Sequence, residues 1–180
     1  MSGFARRGKA YTPLDSAGAQ VSVCSMSALS MHSPVGDLTL FAEQGAIVAL
    51  EWGWASLSQP EPVLARAKAA LEAYFDGEML AGDIELNPSG SAYRQKVWAS
   101  LRAIPAGETR SYAQIAAVAG GSARAVGGAN AANPIPIFIP CHRVLASNGI
   151  GGYSGGEGLK TKRALLALEQ LCVTGGVRTA

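Results

Sequence analysis

The run Cys141-His142-Arg143 sets a thiol beside a base and a cation. A cysteine becomes a nucleophile when its thiolate is favoured by a nearby base or positive charge. His142 can take the thiol proton, directly or through a water, and Arg143 adds positive charge. The competing reading is a buried, inert cysteine, the common fate of a free thiol. The charged neighbours argue against a purely apolar setting. A catalytic base also needs a group to orient it. Glu169 lies four and three residues after Leu165 and Leu166, so on a helix it shares their apolar face. A carboxylate on that face calls for a partner. A relay of Cys141, His142 and Glu169 follows.

These groups must be carried by elements. A helix is expected from about Leu159 to Leu171, after the Gly-rich loop Gly151-Gly152-Tyr153-Ser154-Gly155-Gly156. That loop is no phosphate cradle, because neither a Lys-Ser/Thr pair nor a Gly-x-Gly-x-x-Gly pattern stands at the required spacing. Ile135 to Pro140 is apolar and holds two prolines, which suggests a stiff extended segment leading into Cys141. Upstream, Ser111 can cap a helix from Tyr112 to about Val118, and Ser122 a second from Ala123 to about Ala132. Ala119-Gly120-Gly121 joins them, and Asn133-Pro134 stops the second. Two short helices around a glycine turn form a helix-turn-helix.

The second helix is unusual. Base reading needs long polar side chains, yet only Arg124 and Asn130 stand among alanines and glycines. Gly127 and Gly128 each cost roughly 1 kcal/mol of helix stability. They offer either close backbone approach to a duplex or tight packing between helices. In the first case Arg124 enters the duplex and fills a vacated base position; in the second it is simply solvated.

Charge divides the chain. Residues 1–20 carry +2, residues 21–88 carry −7 and residues 89–180 carry +7, which hides in a net charge of +2. A basic half facing a polyanion is one reading of that split. In the acidic half, Leu38 and Leu40 alternate with polar residues, Gln44-Gly45 turns, and Ile47 and Ala49 continue the alternation as a hairpin. Pro60 to Phe75 reads as a helix with Leu64, Ala67, Leu71, Tyr74 and Phe75 on one face. Asn87-Pro88-Ser89-Gly90 is the expected boundary, and a helix from Ala92 to Ala103 follows it. With 48% hydrophobic and 16% charged residues the chain can build a core. Three cysteines without regular spacing, and no apolar stretch after the first basic residues, point to a reducing cytoplasm with no secretory signal. Cys24 and His32 lack the partners of a zinc motif, so no metal is expected.

The segment Ile139-Pro140-Cys141-His142-Arg143-Val144 resembles the active-site motif of the O6-alkylguanine-DNA alkyltransferase family, the methylated-DNA–protein-cysteine methyltransferases. In the family's order follow or precede it Gln95-Lys96-Val97-Trp98, Ile104-Pro105-Ala106-Gly107-Glu108-Thr109, Ser111-Tyr112, Arg124-Ala125-Val126-Gly127, Asn133-Pro134, Gly152-Tyr153-Ser154-Gly155-Gly156 and Leu165-Leu166-Ala167-Leu168-Glu169. The resemblance implies an α+β protein with a small RNase H-like α/β module, then a mostly helical, winged-helix-like domain that binds DNA and carries the site. The corresponding spans are a tail over 1–20, a scaffold over 21–88, the alkyltransferase domain over 89–172 and a tail over 173–180.

It further implies that the protein flips O6-alkylguanine, with O4-alkylthymine as a second candidate, out of duplex DNA. The alkyl group then passes irreversibly to its own cysteine, without a cofactor. Cys141 would be the acceptor, His142 the base acting through a water, Glu169 its orienting group, and Asn133 the holder of the turn before the active-site segment. Tyr112, Arg124, Ala123, Gly127 and Ser111 would meet the DNA. Tyr153, Ser154, Val144, Pro136 and Arg143 would surround the flipped base. The expected partner is duplex DNA, bound by a monomer, singly or cooperatively, and no membrane. Three other classes compete: a non-enzymatic lesion binder of the alkyltransferase-like type, which would lack Cys141; a helix-turn-helix regulator, which would need base-reading side chains; and a cysteine hydrolase, which would need an oxyanion hole. Two departures from the family pattern are the short turn Ala119–Ser122 and an insertion at Glu157-Gly158.

Overall fold

The computed structural model describes residues 26–55, 61–80 and 83–175. The tail expected over 1–20 and Cys24 lie outside them. Strands β1 (Ser27–Met31), β2 (Leu38–Glu43) and β3 (Ala46–Trp52) form an antiparallel sheet in that order. The anticipated hairpin is β2–β3, turning at Gln44 and Gly45 with φ of 52° and 80°. Alternation places Leu38, Leu40 and Ala42 fully inside. Strand β1 was not anticipated. Its Ser27 and Ser30 are buried, Ser30 bonding Thr39 at 2.9 Å, so polar residues interrupt the apolar pattern that would reveal it. Helix α1 (Pro62–Phe75) lays Leu64, Ala67, Leu71 and Tyr74 against the sheet.

The chain then runs beside β3, with Ile47 N–H donating to Glu85 O and Asn87 N–H to Ile47 O, both at 2.8 Å. Helix α2 (Ala92–Arg102) follows, capped by Ser91. Helices α3 (Tyr112–Ala119) and α4 (Ala123–Ala131) form the helix-turn-helix. Ser111 and Gln114 make a reciprocal capping box, and Ser122 accepts from Ala125 N–H. The short turn is feasible because Gly120 and Gly121 take φ of 85° and 84°. Tyr93 seals it, donating to Gly120 O at 3.2 Å. Trp98 Nε1 donates to Ala129 O at 2.9 Å and fastens α4 to α2.

Residues Ile135 to Pro140 are not extended. Ile139 N–H donates to Ile135 O at 2.9 Å, and Ile137 sits at φ 73°. Asn133 explains the turn: its Nδ2 donates to Ile139 O at 2.8 Å while its Oδ1 accepts from Ile135 N–H at 3.1 Å. One side chain clamps both ends, and the prolines fit the loop because they need no ladder partner. The turn delivers Cys141–Arg143 as a single 3-10 turn. Strands β4 (Arg110–Ser111) and β5 (Val144–Leu145) then pair in parallel. Helix α5 (Leu159–Val173) begins at Gly158, at φ 64°. The Glu157-Gly158 insertion thus forms the helix start, where Glu157 N–H donates to Thr161 Oγ1 at 2.9 Å. One continuous hydrophobic cluster runs from Leu38 and Leu71 through Trp98 and Ile135 to Cys141 and Leu165.

Candidate active site

Glu169 is the centre of the polar core. Its Oε1 accepts from His142 Nε2 at 2.7 Å, Tyr74 Oη at 2.9 Å and Arg143 Nη2 at 2.8 Å. Its Oε2 accepts from Arg143 Nε at 2.9 Å and Gly107 N–H at 3.3 Å. Burial alone would raise the carboxyl pKa. The hydrogen bonds and charges of His142 and Arg143 outweigh it and hold the group at about 2. An ionised Glu169 only accepts, so the His142 proton resides on Nε2. His142 is fully buried, and burial pushes its pKa below the ordinary imidazole value despite Glu169. The ring is therefore neutral, with Nδ1 as a lone-pair base. That Nδ1 is buried and has no hydrogen-bond partner among the described residues.

Cys141 is 5% exposed. Burial pushes its thiol pKa above the ordinary value, against the pull of Asn133, Tyr153, its own backbone N–H and the charge of Lys162. The resting group is a thiol, and reaction requires the proton to leave. Tyr153 is kept protonated by burial and by the adjacent Cys141, so its hydroxyl is a donor. That hydroxyl is buried on the side of Cys141 and finds no well-formed hydrogen bond among the described residues. Asn130 Nδ2 donates to Cys141 O at 3.3 Å, while Asn130 Oδ1 has no partner. Buried polar atoms without partners are rare and mark places where a ligand or water completes the set.

Two cavities meet at the thiol. One, of about 320 Å³, is lined by Tyr112, Gly127, Asn130, Cys141, Tyr153 and Ser154 and opens beside the helix-turn-helix. The other, of about 410 Å³, shares Asn130, Cys141, Tyr153 and Ser154 and reaches Pro136 and the β3 residues Leu50 and Trp52. The thiol of Cys141, the phenol of Tyr153 and the amide of Asn130 line both cavities.

The structure thus brings Cys141, His142, Glu169, Asn133, Tyr153, Ser154 and Pro136 into one region, with Tyr112 and Gly127 at its mouth. Arg124 and Ala123 are exposed at the start of α4. Ser111 is half-buried, and its hydroxyl serves the α3 cap. Two of the expected pocket residues are elsewhere. Arg143 turns away from the thiol, because a buried guanidinium needs acceptors and finds them in Glu169 and Ile104 O. It borders a different cavity, of about 230 Å³, with Phe138 and Ile104. Val144 is fully buried and lines neither cavity at the thiol; it contributes only its carbonyl.

The cation acting on Cys141 is Lys162, which sequence reasoning missed. Its Nζ is held by Val144 O and Ile150 O at 2.7 Å and Gly152 O at 3.2 Å. The signal was present: Lys162 lies three and seven residues before Leu165 and Glu169, on the same buried face. Tyr74 and Trp52 were missed as site residues because they come from the other half of the chain.

The two halves match known families. The model of the 6-O-methylguanine DNA methyltransferase ribonuclease-like domain matches residues 28–88, and that of the DNA binding domain matches residues 92–171. The methylated-DNA–protein-cysteine methyltransferase of Mycobacterium tuberculosis (strain H37Rv) is 44% identical over 152 residues, covering 78% of this chain and 90% of that protein. The constitutive one of Bacillus subtilis (strain 168) is 40% identical over 154 residues, covering 78% and 93%. Among solved structures, Mycobacterium tuberculosis OGT in complex with DNA superposes with a TM-score of 0.72 at 42% identity, covering 81% of this chain and 93% of that one.

Proposed function

The chain belongs to the 6-O-methylguanine DNA methyltransferase family, and we propose that Cys141 is the alkyl acceptor of its reaction. It is a DNA-repair transferase that moves an alkyl group to a cysteine, rather than a non-enzymatic lesion binder. The observation carrying the residue assignment is a buried thiol at the junction of two cavities, beside a neutral histidine whose outer nitrogen is fixed by Glu169 and whose inner nitrogen is vacant.

The substrate is O6-alkylguanine in duplex DNA. Helix α4 approaches the minor groove along its glycine face, Arg124 takes the place of the flipped base, and Tyr112 presses on the backbone at the cavity mouth. The Cys141 proton passes through a water to His142 Nδ1. The thiolate attacks the alkyl carbon, an S–C bond forms and the C–O6 bond breaks. The released electron pair goes to the guanine, which Tyr153 meets as hydrogen-bond donor and which regains one proton from the site. Nothing is oxidised or reduced, and no cofactor is required. A thioether is not a leaving group under these conditions, so each molecule acts once. A free thiol suits the reducing cytoplasm, and the protein acts there as a monomer. Among the described residues no helix is long and apolar enough to cross a membrane. We divide the chain functionally at Asn87–Gly90 into scaffold and alkyltransferase domains.

The test is intact mass after incubation with a duplex containing O6-methylguanine. One added methyl, on the tryptic peptide holding Cys141, is expected. Unmodified Cys141 in folded protein that binds the duplex overturns the assignment. A Cys141→Ala variant should bind the duplex and gain no mass.

A further inference from the structure

Trp52 closes the N-terminal sheet, at the end of β3 and in register with Leu38. Its indole nonetheless reaches the loop that carries Tyr153 and Ser154. The Trp52 and Tyr153 rings stand edge to face, with centroids 6.4 Å apart at 89°. The indole also lies against the loop backbone. A Cβ added at Gly155 would fall 2.5 Å from Trp52 Cη2, and one at Gly156 would fall 2.6 Å from Trp52 Nε1. Gly155 does not have the left-handed φ that would itself require glycine, so what excludes a side chain there is the indole, together with the Tyr153 ring at 2.9 Å. Among the described residues the buried indole N–H has no partner, and the ring contributes packing. Trp52 lines the cavity that contains Cys141.

We propose that Trp52 is a positioning residue of the transfer reaction: from the N-terminal module it clamps the 153–156 loop and so fixes the aim of the Tyr153 hydroxyl at Cys141. The proposal rests on Cys141 being the acceptor. Misplacing a reacting or donor group by about 1 Å costs on the order of a hundredfold in rate. The groups facing the thiol are Tyr153 from the loop, Tyr112 from α3, Lys162 from α5, Asn133 after α4, and the neighbouring His142. Of these Tyr153 is the one that stands edge to face with the Trp52 ring. In the resting site, before a base enters, the Tyr153 hydroxyl favours the thiolate, so loosening it moves the alkaline rise of the rate to higher pH.

The experiment measures single-turnover alkylation of Cys141 by free O6-benzylguanine, which needs no DNA binding, across pH. Trp52→Ala should slow the reaction on the order of ten- to a hundredfold and shift the profile upward, while Trp52→Phe, which keeps an aromatic clamp, should retain most of the rate. Gly155→Ala should reproduce the defect, and the double variant should lose less than the product of the two single losses, because the indole is the nearest group that the new methyl strikes. A folded Trp52→Ala protein with wild-type rate and profile overturns the clamp. So do strictly additive effects of Trp52→Ala and Gly155→Ala. If Trp52→Ala does not fold, Trp52→Phe and Gly155→Ala decide: a wild-type rate in Gly155→Ala, or a rate in Trp52→Phe as low as in Gly155→Ala, overturns it. Failure of the wild-type protein to alkylate Cys141 with either the free base or the methylated duplex is a different result, and it overturns the acceptor assignment instead.

Discussion

Glu169 holds five donors on two oxygens, and its acidity follows from them. In the folded chain its carboxyl titrates at about 2, against about 4.5 when unfolded. A depressed carboxyl pKa stabilises the fold above the unfolded value, and the stabilisation is lost as pH falls from about 4.5 toward 2. The difference corresponds to about 3 kcal/mol. His142 acts in the same direction at higher pH. Its folded pKa lies below the ordinary 6.5, so the unfolded chain binds a proton that the folded one resists, and stability declines as pH drops below about 6.5. Urea melts between pH 7.5 and 3 should therefore lose stability in two stages, a first below pH 6.5 and a second below pH 4.5. In Glu169→Gln the second stage should shrink. That variant should also be less stable at pH 7 by about 3–5 kcal/mol, since Arg143 is left buried without its counter-charge. A single acid transition that Glu169→Gln leaves unchanged would contradict this account.

At the scale of elements, α4 is the part whose sequence left two readings open. Gly127 and Gly128 do not serve packing between the described helices: a Cβ at either meets nothing within 4 Å among the described residues. Both have ordinary helical backbone, so alanine fits each site without strain. Gly127→Ala and Gly128→Ala should each stabilise the free protein by about 0.5–1 kcal/mol, a rise in Tm of about 1–4 °C. If the glycine face exists for close approach to the duplex, the same variants bind O6-methylguanine duplex more weakly; a gain in Tm with unchanged affinity would remove that role. The helix itself was legible because Ser122 and Asn133-Pro134 are local signals that fix its ends within a residue. The same holds for α2, α3 and the β2–β3 hairpin, while α5 starts at the expected Leu159 and runs two residues past the expected Leu171. The 135–140 turn was not legible. Its two prolines argue for extension, whereas the decisive group, Asn133, acts through side-chain bonds to Ile135 and Ile139 that spacing does not reveal. Lys162 shows the limit from the other side: its helical face was readable, but its three carbonyl partners lie in loops whose path only the tertiary fold determines.

At the scale of the molecule, the division into an acidic and a basic half is a division of surface and not of core. Two of the ten basic residues after Ser89, Arg143 and Lys162, are interior, and Glu169 is buried between the halves. The hydrophobic cluster crosses the boundary without interruption. Leu50 N–H donates to Pro134 O at 2.9 Å, and Tyr74 reaches Glu169 from α1. The proximity of Cys141, His142 and Glu169 was legible because the first two are contiguous and the third shares a helix face with buried leucines. Tyr74 and Trp52 were not, because a contact across 95 residues carries no local pattern. The halves should therefore unfold together. Trp52 and Trp54 lie in the first half and Trp98 in the second, while four of the five helices belong to the second, so tryptophan fluorescence and far-UV circular dichroism should give coincident urea transitions. Tyr74→Phe deletes one buried hydrogen bond to a charged acceptor that keeps its other donors. It should lower stability by about 1–2 kcal/mol, moving the single transition to lower urea without splitting it. Two separated transitions in the wild-type protein would mean that the shared core and the Tyr74–Glu169 contact do not couple the modules.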